Sequence, residues 1–374
     1  METTTPTQRL RHAIIGIGAG ILNEHRPGLA LPTVELVAGS DVDAIKGQER
    51  ADELHCAFYT DYKQMLAELK PDVAVILTPP FLHAAIAIDC LKAGCHVLVE
   101  KPIAIQVADA DQMIETAQSC QRVLGVVFQH RFRPEIIAAC TLMQDNVIGQ
   151  IQRVELSAVW TRPTSYYTMA PWRATWSGEG GGVLTNQSSH NLDLLCHLLG
   201  SPSRVFAWTR HLLHQIETED TVQAMLEWSN GALGSVHIST AEADDPERLK
   251  IVGTRGSLEI GHNTLSVQTL EVDMREYALH TQDPYQQPTK HPYDVILEHE
   301  TGKSAFAAVY RNFQQAILQG GQESHFASDA IAARMELELA NAMIYSSYHH
   351  CEVELPLDRQ RYTILLKELQ HHSK

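Results

Sequence analysis

Through the first third of this chain the apolar residues cluster in short runs, at residues 13–15, 34–39, 73–77, 96–99 and 123–128, rich in β-branched and aliphatic side chains. Between them, residues 44–54, 62–69, 83–93 and 107–119 space their apolar positions at helical intervals, with Pro71 and Gly94 as stops. Strands alternating with helices in this way specify βαβ units. The parallel sheet they form takes right-handed crossovers that place helices on both of its faces.

After Pro134 the period changes. One helix, predicted over 135–144, leads through Gly149 into runs at 152–160, 204–210, 222–228 and 232–240 that alternate apolar with polar residues. Such runs predict antiparallel strands with one solvated face, and Asn230-Gly231 between the last two is a hairpin signal. A helix is predicted over 182–199, ended by Gly200-Ser201-Pro202. Residues 271–298 read as a long excursion, and helical patterns at 304–318 and 329–346 precede a short extended run at 351–355. The fold class is therefore α/β: a doubly wound parallel sheet over residues 1–130, then, over 131–374, an α+β domain with a large, mostly antiparallel open sheet.

Composition narrows the function. A chain of 374 residues, 44% hydrophobic, supplies two cores without staples. Its 29 basic and 45 acidic residues leave a formal charge of -16, which repels phosphate backbones and argues against nucleic-acid or anionic-membrane partners. The seven cysteines are scattered and never spaced as CxxC, so they read as buried thiols of a reducing compartment. His349-His350 and His371-His372 lack a carboxylate or thiol at useful spacing, and no metal site is predicted. Residues 1–11 are polar, and no apolar run is long enough to span a bilayer; the expected location is cytoplasmic.

Gly16-Ile17-Gly18-Ala19-Gly20 follows the first strand at once and opens a helix. In that context Gly16 permits the tight turn, Gly18 lets backbone approach a pyrophosphate, and the helix N-terminus offers free amides. The third glycine of a dinucleotide-binding turn falls here on Ile21, and Pro27 is expected to break the helix early; the alternative is a plain βα turn. Asp41, after the second strand, is placed to accept hydrogen bonds from a ribose 2′-hydroxyl. It would repel a 2′-phosphate, and Val42 and Asp43 bring no cation, so NAD is favoured over NADP. The alternative role for Asp41 is to cap the helix beginning near Ala44. Thr78-Pro79-Pro80 leaves the sheet as a rigid platform, with His83 capping or lining the next helix. Lys101, in Glu100-Lys101-Pro102, puts an ammonium at the carboxyl end of a predicted parallel strand, where ligands of open α/β sheets bind.

These segments resemble the glucose–fructose oxidoreductase, inositol dehydrogenase and MocA group of nicotinamide-dependent oxidoreductases. The resemblance extends through Gly94-Cys95-His96-Val97-Leu98-Val99-Glu100-Lys101-Pro102, Phe128-Gln129-His130-Arg131-Phe132-Arg133-Pro134, Gly180-Gly181-Gly182-Val183-Leu184 on to His190-Asn191-Leu192-Asp193, and Asn312-Phe313-Gln314-Gln315-Ala316-Ile317. It implies a Rossmann domain followed by a substrate-binding and oligomerisation domain. The expected NAD contacts are Gly16, Gly18, Ala19, Gly20, Ile21, Asp41, Thr78, Pro79, His83, Glu100, Lys101 and Gln129. It further implies a lysine touching the reacting hydroxyl and a histidine serving as base, here Lys101 and His190.

The chemistry agrees. Oxidising an alcohol removes the O–H proton as hydride leaves carbon, and an imidazole with an ordinary pKa of about 6.5 does this near neutrality. Lys101 would stabilise the developing alkoxide, or, desolvated, take the proton itself. The expected substrate-binding set is Lys101, Trp172, Arg173, Asn186, His190 and Asp193, with Trp172 stacking on C–H faces and Arg173 donating to oxygens. Relatives commonly carry an aspartate at the position of Asn186; an amide orients a hydroxyl but brings no charge, and Asp193 is the candidate replacement carboxylate. The substrate is expected to be a sugar, sugar derivative or cyclitol. Two alternatives are a redox-neutral NAD-dependent glycosidase and a non-catalytic sugar-sensing regulator. The family habit of pairing through the second-domain sheet implies a homodimer or homotetramer.

Overall fold

The computed structural model describes residues 9–244, 247–297, 304–320 and 329–372. The polar start at residues 1–8 and Glu298 of the expected excursion lie outside the described residues. The chain divides into two compact units, Met1–Gln129 with Thr301–Arg334, and His130–Glu300 with Met335–Lys374.

The first unit is built on β1 (Leu10–Ile15), α1 (Leu22–Leu29), β2 (Val34–Ser40), α2 (Ala44–Leu54), β3 (Ala57–Tyr59), α3 (Tyr62–Leu69), β4 (Val73–Ile76), α4 (Pro80–Lys92), β5 (His96–Val99), α5 (Val107–Cys120) and β6 (Leu124–Val126). The strands lie in the order β3-β2-β1-β4-β5-β6, all parallel. Val73 to Ile76 have no exposed surface, as expected of a strand covered on both faces by crossover helices. Strand β3 escapes sequence reading because three residues are too few to show a period. Pro27 does not break α1 early as expected: the helix runs to Leu29, closed by Ala30 N donating to Arg26 O at 2.9 Å. A proline this near the C-terminus removes one helical hydrogen bond and leaves the rest.

The second unit contains α6 (Pro134–Gln144), β7 (Ile151–Val159), α7 (Thr164–Tyr167), a π-helical turn (Val183–Gln187) and α8 (Ser189–Leu199). Strands β8 (Arg204–Arg210), β9 (Thr221–Glu227), β10 (Leu233–Ser239), β11 (Glu247–Gly253), β12 (Gly256–Gly261) and β13 (Thr264–Leu270) follow, then α9 (Met274–His280) and β14 (Lys290–Pro292). After α10 (Ala305–Leu318), the chain ends with α11 (Ala330–His349), β15 (Val353–Glu354) and α12 (Arg359–His372). The nine-stranded sheet runs β14-β13-β12-β11-β7-β10-β9-β8-β15, antiparallel except for β7 beside β10. The hairpin signal at Asn230-Gly231 joins β9 to β10, with Gly231 at φ +85°. The excursion expected at 271–298 is partly ordered, since it supplies α9 and an edge strand.

Helix α10 belongs to the first unit, which a boundary at residue 130 does not anticipate. Its Tyr310 is fully buried and meets His25 of α1, Nδ1 to the phenol oxygen at 2.9 Å. Two elements almost three hundred residues apart thus share one core, which no local pattern announces.

Candidate active site

Register brings the candidate residues of the first unit together. Ile15 pairs with Ser40 on one side and with Ile76 on the other, and Ile76 pairs with Val99, so four strands end level. Backbone bonds continue the ladder by one step: Gly16 N donates to Ser40 O at 2.8 Å, Leu77 N to Ile15 O at 2.8 Å and Glu100 N to Ile76 O at 3.0 Å. Gly16, Asp41, Thr78 and Lys101 consequently all emerge at the carboxyl edge of one sheet, at the switch point where the strand order reverses between β1 and β4.

Gly16 adopts φ +88°, and a Cβ there would lie 3.0 Å from the backbone of Leu77 and Thr78. The first turn is therefore closed to any other residue. Asp41 Oδ2 accepts from Gly18 N at 2.8 Å and Oδ1 from Asp43 N at 2.9 Å. It does not cap α2; that role falls to Asp43, whose side chain accepts from Lys46 N. The Asp41 side chain is half-buried beside the glycine turn. Gly20 opens onto space with nothing within 4 Å of a built Cβ, and Ile21, just before α1, is exposed. Ala19 lies between Gly18 and Gly20 in the turn, and Thr78 and Pro79 are partly exposed at the end of β4.

His83 departs from expectation. Its Nδ1 lies 2.8 Å from Pro102 O and its Nε2 2.8 Å from Thr78 O, with the ring buried. Burial holds its pKa below the ordinary value, against both carbonyls. A neutral ring has one N–H, so His83 donates to one of these carbonyls and packs against the other, bracing the Thr78 and Pro102 loops together. Glu100 likewise faces inward: Oε1 meets His25 Nε2 at 2.9 Å and Oε2 accepts from Lys101 N at 3.1 Å. The side chain before the lysine is a buried anchor for the loop. Gln129 closes the first segment of this unit and opens a tight turn, Gln129–Phe132.

A second group of candidate residues lies in the other unit, around the start of α8. The helix predicted over 182–199 is interrupted: residues 183–187 form a π turn, with Ser188 N donating to Val183 O at 2.9 Å, and α-helix resumes at Ser189. Glu219, from the loop before β9, sets this start by accepting from Gly182 N at 2.8 Å and Leu184 N at 3.0 Å. Gly182 is obligatory there, since a Cβ would stand 2.0 Å from Glu219 O. His190, the second residue of α8, is 8% exposed, and its ring stacks on His130 with centroids 4.0 Å apart. Arg133 Nη2 donates to His130 Nε2 at 2.9 Å, which puts the His130 proton on Nδ1.

Asp193 is not available to a substrate. It is fully buried, and both its oxygens accept from Arg131, Oδ2 from Nε at 2.8 Å and Oδ1 from Nη2. Asn186 instead meets another acid, donating from Nδ2 to Glu179 Oε1. Arg173 stacks over Tyr166 at 4.4 Å and Trp172 at 4.8 Å, and its Nη1 lies 3.6 Å from Glu179 Oε1. A cavity of about 740 Å³ borders Arg173 and the loop 211–217, but neither Asn186 nor His190 lines it.

Sequence reading did not single out Glu179, Glu219, His25 or Tyr310, and quoted His130 and Arg131 only within a longer run. Glu219 carries no local signal, because its partner Gly182 lies 37 residues away, and neither does the role of Arg131, whose partner Asp193 is 62 residues away.

Burial is the main reason that the Glu219 carboxyl is pushed up to about 7, with the backbone amides of Glu219 itself, Leu184 and Gly182 opposing it and Glu179 adding repulsion. A folded pKa raised from 4.5 means that stability from this group is fully present below pH 4.5 and lost as the pH rises through 7. The loss amounts to roughly 3 kcal/mol. Glu219→Gln keeps an acceptor for both amides and should flatten that part of the decline. Thermal unfolding of both proteins between pH 4.5 and 7 checks it; parallel curves would mean that the carboxyl is not the source.

A glycine turn after β1 and an acid after β2, on a sheet of this order, is how oxidoreductases hold a nicotinamide dinucleotide. The chain belongs to the Gfo/Idh/MocA oxidoreductase family: residues 10–128 match its NAD-binding Rossmann domain and residues 136–259 its C-terminal domain. It is 29% identical over 232 residues to D-glucoside 3-dehydrogenase of Escherichia coli, covering 61% of this chain and 64% of that one. It is 30% identical over 243 residues to 1-carboxy-3-chloro-3,4-dihydroxycyclo hexa-1,5-diene dehydrogenase of Comamonas testosteroni, covering 62% and 58%. Both alignments span under two thirds of the relative. Among solved structures, the WlbA dehydrogenase of Bordetella pertussis, in complex with NADH and UDP-GlcNAcA, matches with a TM-score of 0.81 and 27% identity over 94% of this chain and 99% of that one. Levoglucosan dehydrogenase, bound to NADH and levoglucosan, shares the fold at TM-score 0.79 and 21% identity over 93% and 100%. The first domain is thus an NAD-binding Rossmann domain, and no described helix is long and apolar enough to cross a membrane.

Proposed function

We propose that this chain transfers hydride between NAD and a secondary hydroxyl or ketone of a sugar, sugar derivative or cyclitol, with Lys101 as hydroxyl ligand and His190 as general base. The observation that carries the reading is the level ending of four parallel strands, which puts Lys101 on the same sheet edge as the glycine turn and Asp41. NAD supplies the hydride acceptor. The ammonium of Lys101 stabilises negative charge as it develops on the substrate oxygen, and His190 takes the proton. Similarity to D-glucoside 3-dehydrogenase and to a dehydrogenase that binds UDP-GlcNAcA supports a sugar as the substrate. Incubating the purified protein with NAD and a panel of sugars and cyclitols, reading NADH formation, tests the assignment; no turnover with any of them would sink it.

Cofactor choice has its own test. Asp41 accepts two backbone amides beside the glycine turn, and a 2′-phosphate placed there would meet its charge. Asp41→Ala is expected to lower the preference for NAD over NADP by about tenfold or more, the scale of one lost charge interaction. An unchanged ratio of kcat/KM values would mean that the carboxylate only shapes the loop.

A further inference from the structure

The carboxylate of Glu179 is buried, its side chain 3% exposed, and it engages three groups at once. Oε1 accepts from Asn186 Nδ2 and lies 3.6 Å from Arg173 Nη1, while Oε2 accepts from Ala174 N. An ionised carboxylate only accepts, so the amide of Asn186 must turn its nitrogen toward Glu179 and its oxygen away. Arg173, stacked between Tyr166 and Trp172, has its charge answered by the same carboxylate. The trio of one acid, one guanidinium and one amide is neutral as a whole.

We propose that Glu179 is a positioning residue that determines specificity: by orienting Asn186 and neutralising Arg173, it makes this part of the site select an uncharged hydroxyl-bearing ring over a sugar acid. The inference rests on the reading that Asn186 and Arg173 contact the substrate. A sugar carboxylate approaching Arg173 would have to compete with a carboxylate already in place. A neutral hydroxyl meets an oriented amide and guanidinium at no such cost.

The test moves the charge within the trio. Glu179→Gln leaves Arg173 unanswered, Asn186→Asp sets two carboxylates against each other, and the double variant Asn186→Asp/Glu179→Gln restores an acid–amide pair with the ends exchanged. Each full-length protein, with NAD, is assayed on a neutral series (glucose, methyl glucosides and myo-inositol) and an acid series (glucuronate and galacturonate). Thermal unfolding verifies that each is folded. The wild type is expected to prefer the neutral series. Glu179→Gln should shift the ratio of kcat/KM values toward the acids by about tenfold, through KM, and the double variant should return it to within about threefold of the wild type. A merely structural role would lower both series together and leave the ratio alone.

A wild type that prefers the acids, a ratio unmoved by Glu179→Gln, or a double variant no better than Asn186→Asp would overturn the inference while leaving the dehydrogenase reading intact. A wild type that turns over neither series overturns both.

Discussion

Lys101→Ala and His190→Ala should each abolish measurable turnover while NAD still binds. The two losses have different origins. Removing a positioned base costs about a hundred- to ten-thousand-fold in rate, because the hydroxyl proton must then leave to water. Removing the ammonium takes away the charge that meets the developing alkoxide, a loss of about a hundred- to a thousand-fold. NAD binding should persist, since the turn at Gly16 and the carboxylate of Asp41 are held by β1, β2 and their own backbone bonds. Neither side chain takes part in those bonds. His190→Asn adds a control, because His190→Ala also removes the ring on which His130 stacks. The measurements are single-turnover NADH formation and NADH affinity by fluorescence. A rate near that of the wild type in either alanine variant would remove that residue from the mechanism.

The second large effect concerns stability. Arg131 and Asp193 form a two-point ion pair whose side chains are 1% and 0% exposed. Two such charges are dehydrated at high cost, which their mutual hydrogen bonds offset; removing one partner leaves the other buried and unanswered. Asp193→Ala or Arg131→Ala should therefore destabilise the protein by about 3–5 kcal/mol. Arg131→Met/Asp193→Leu replaces both charges by apolar groups of similar bulk and should recover most of that loss. Urea unfolding of the three variants checks the pattern. If the double variant lost as much as the sum of the single ones, the pair would not be acting as a unit.

The same pair shows how far the sequence could be read. Asp193 lies three residues after His190 on a helical pattern, which suggested a substrate carboxylate. The π turn at 183–187 and the distant Arg131 changed its role. Asn186 stands where relatives carry an acid, and its Nδ2 donates to a carboxylate seven residues earlier, Glu179. His83 sat next to a strand end, as a cofactor contact should, and was drawn inward by two carbonyl oxygens.

What the sequence determined by itself is the periodic part: six-residue and shorter apolar runs alternating with helical patterns, and hence a parallel sheet whose carboxyl edge carries Gly16, Asp41, Thr78 and Lys101. That follows from local physics, because side-chain period selects strand or helix and chain chirality selects the crossover. Only the tertiary structure decided what each buried carboxylate meets: Glu100 with His25, Asp193 with Arg131, Glu179 with Asn186 and Arg173, and Glu219 with the amides of Gly182 and Leu184 that open the π turn. A charge removed from water needs a partner in space, and the sequence imposes no fixed spacing on where that partner is found.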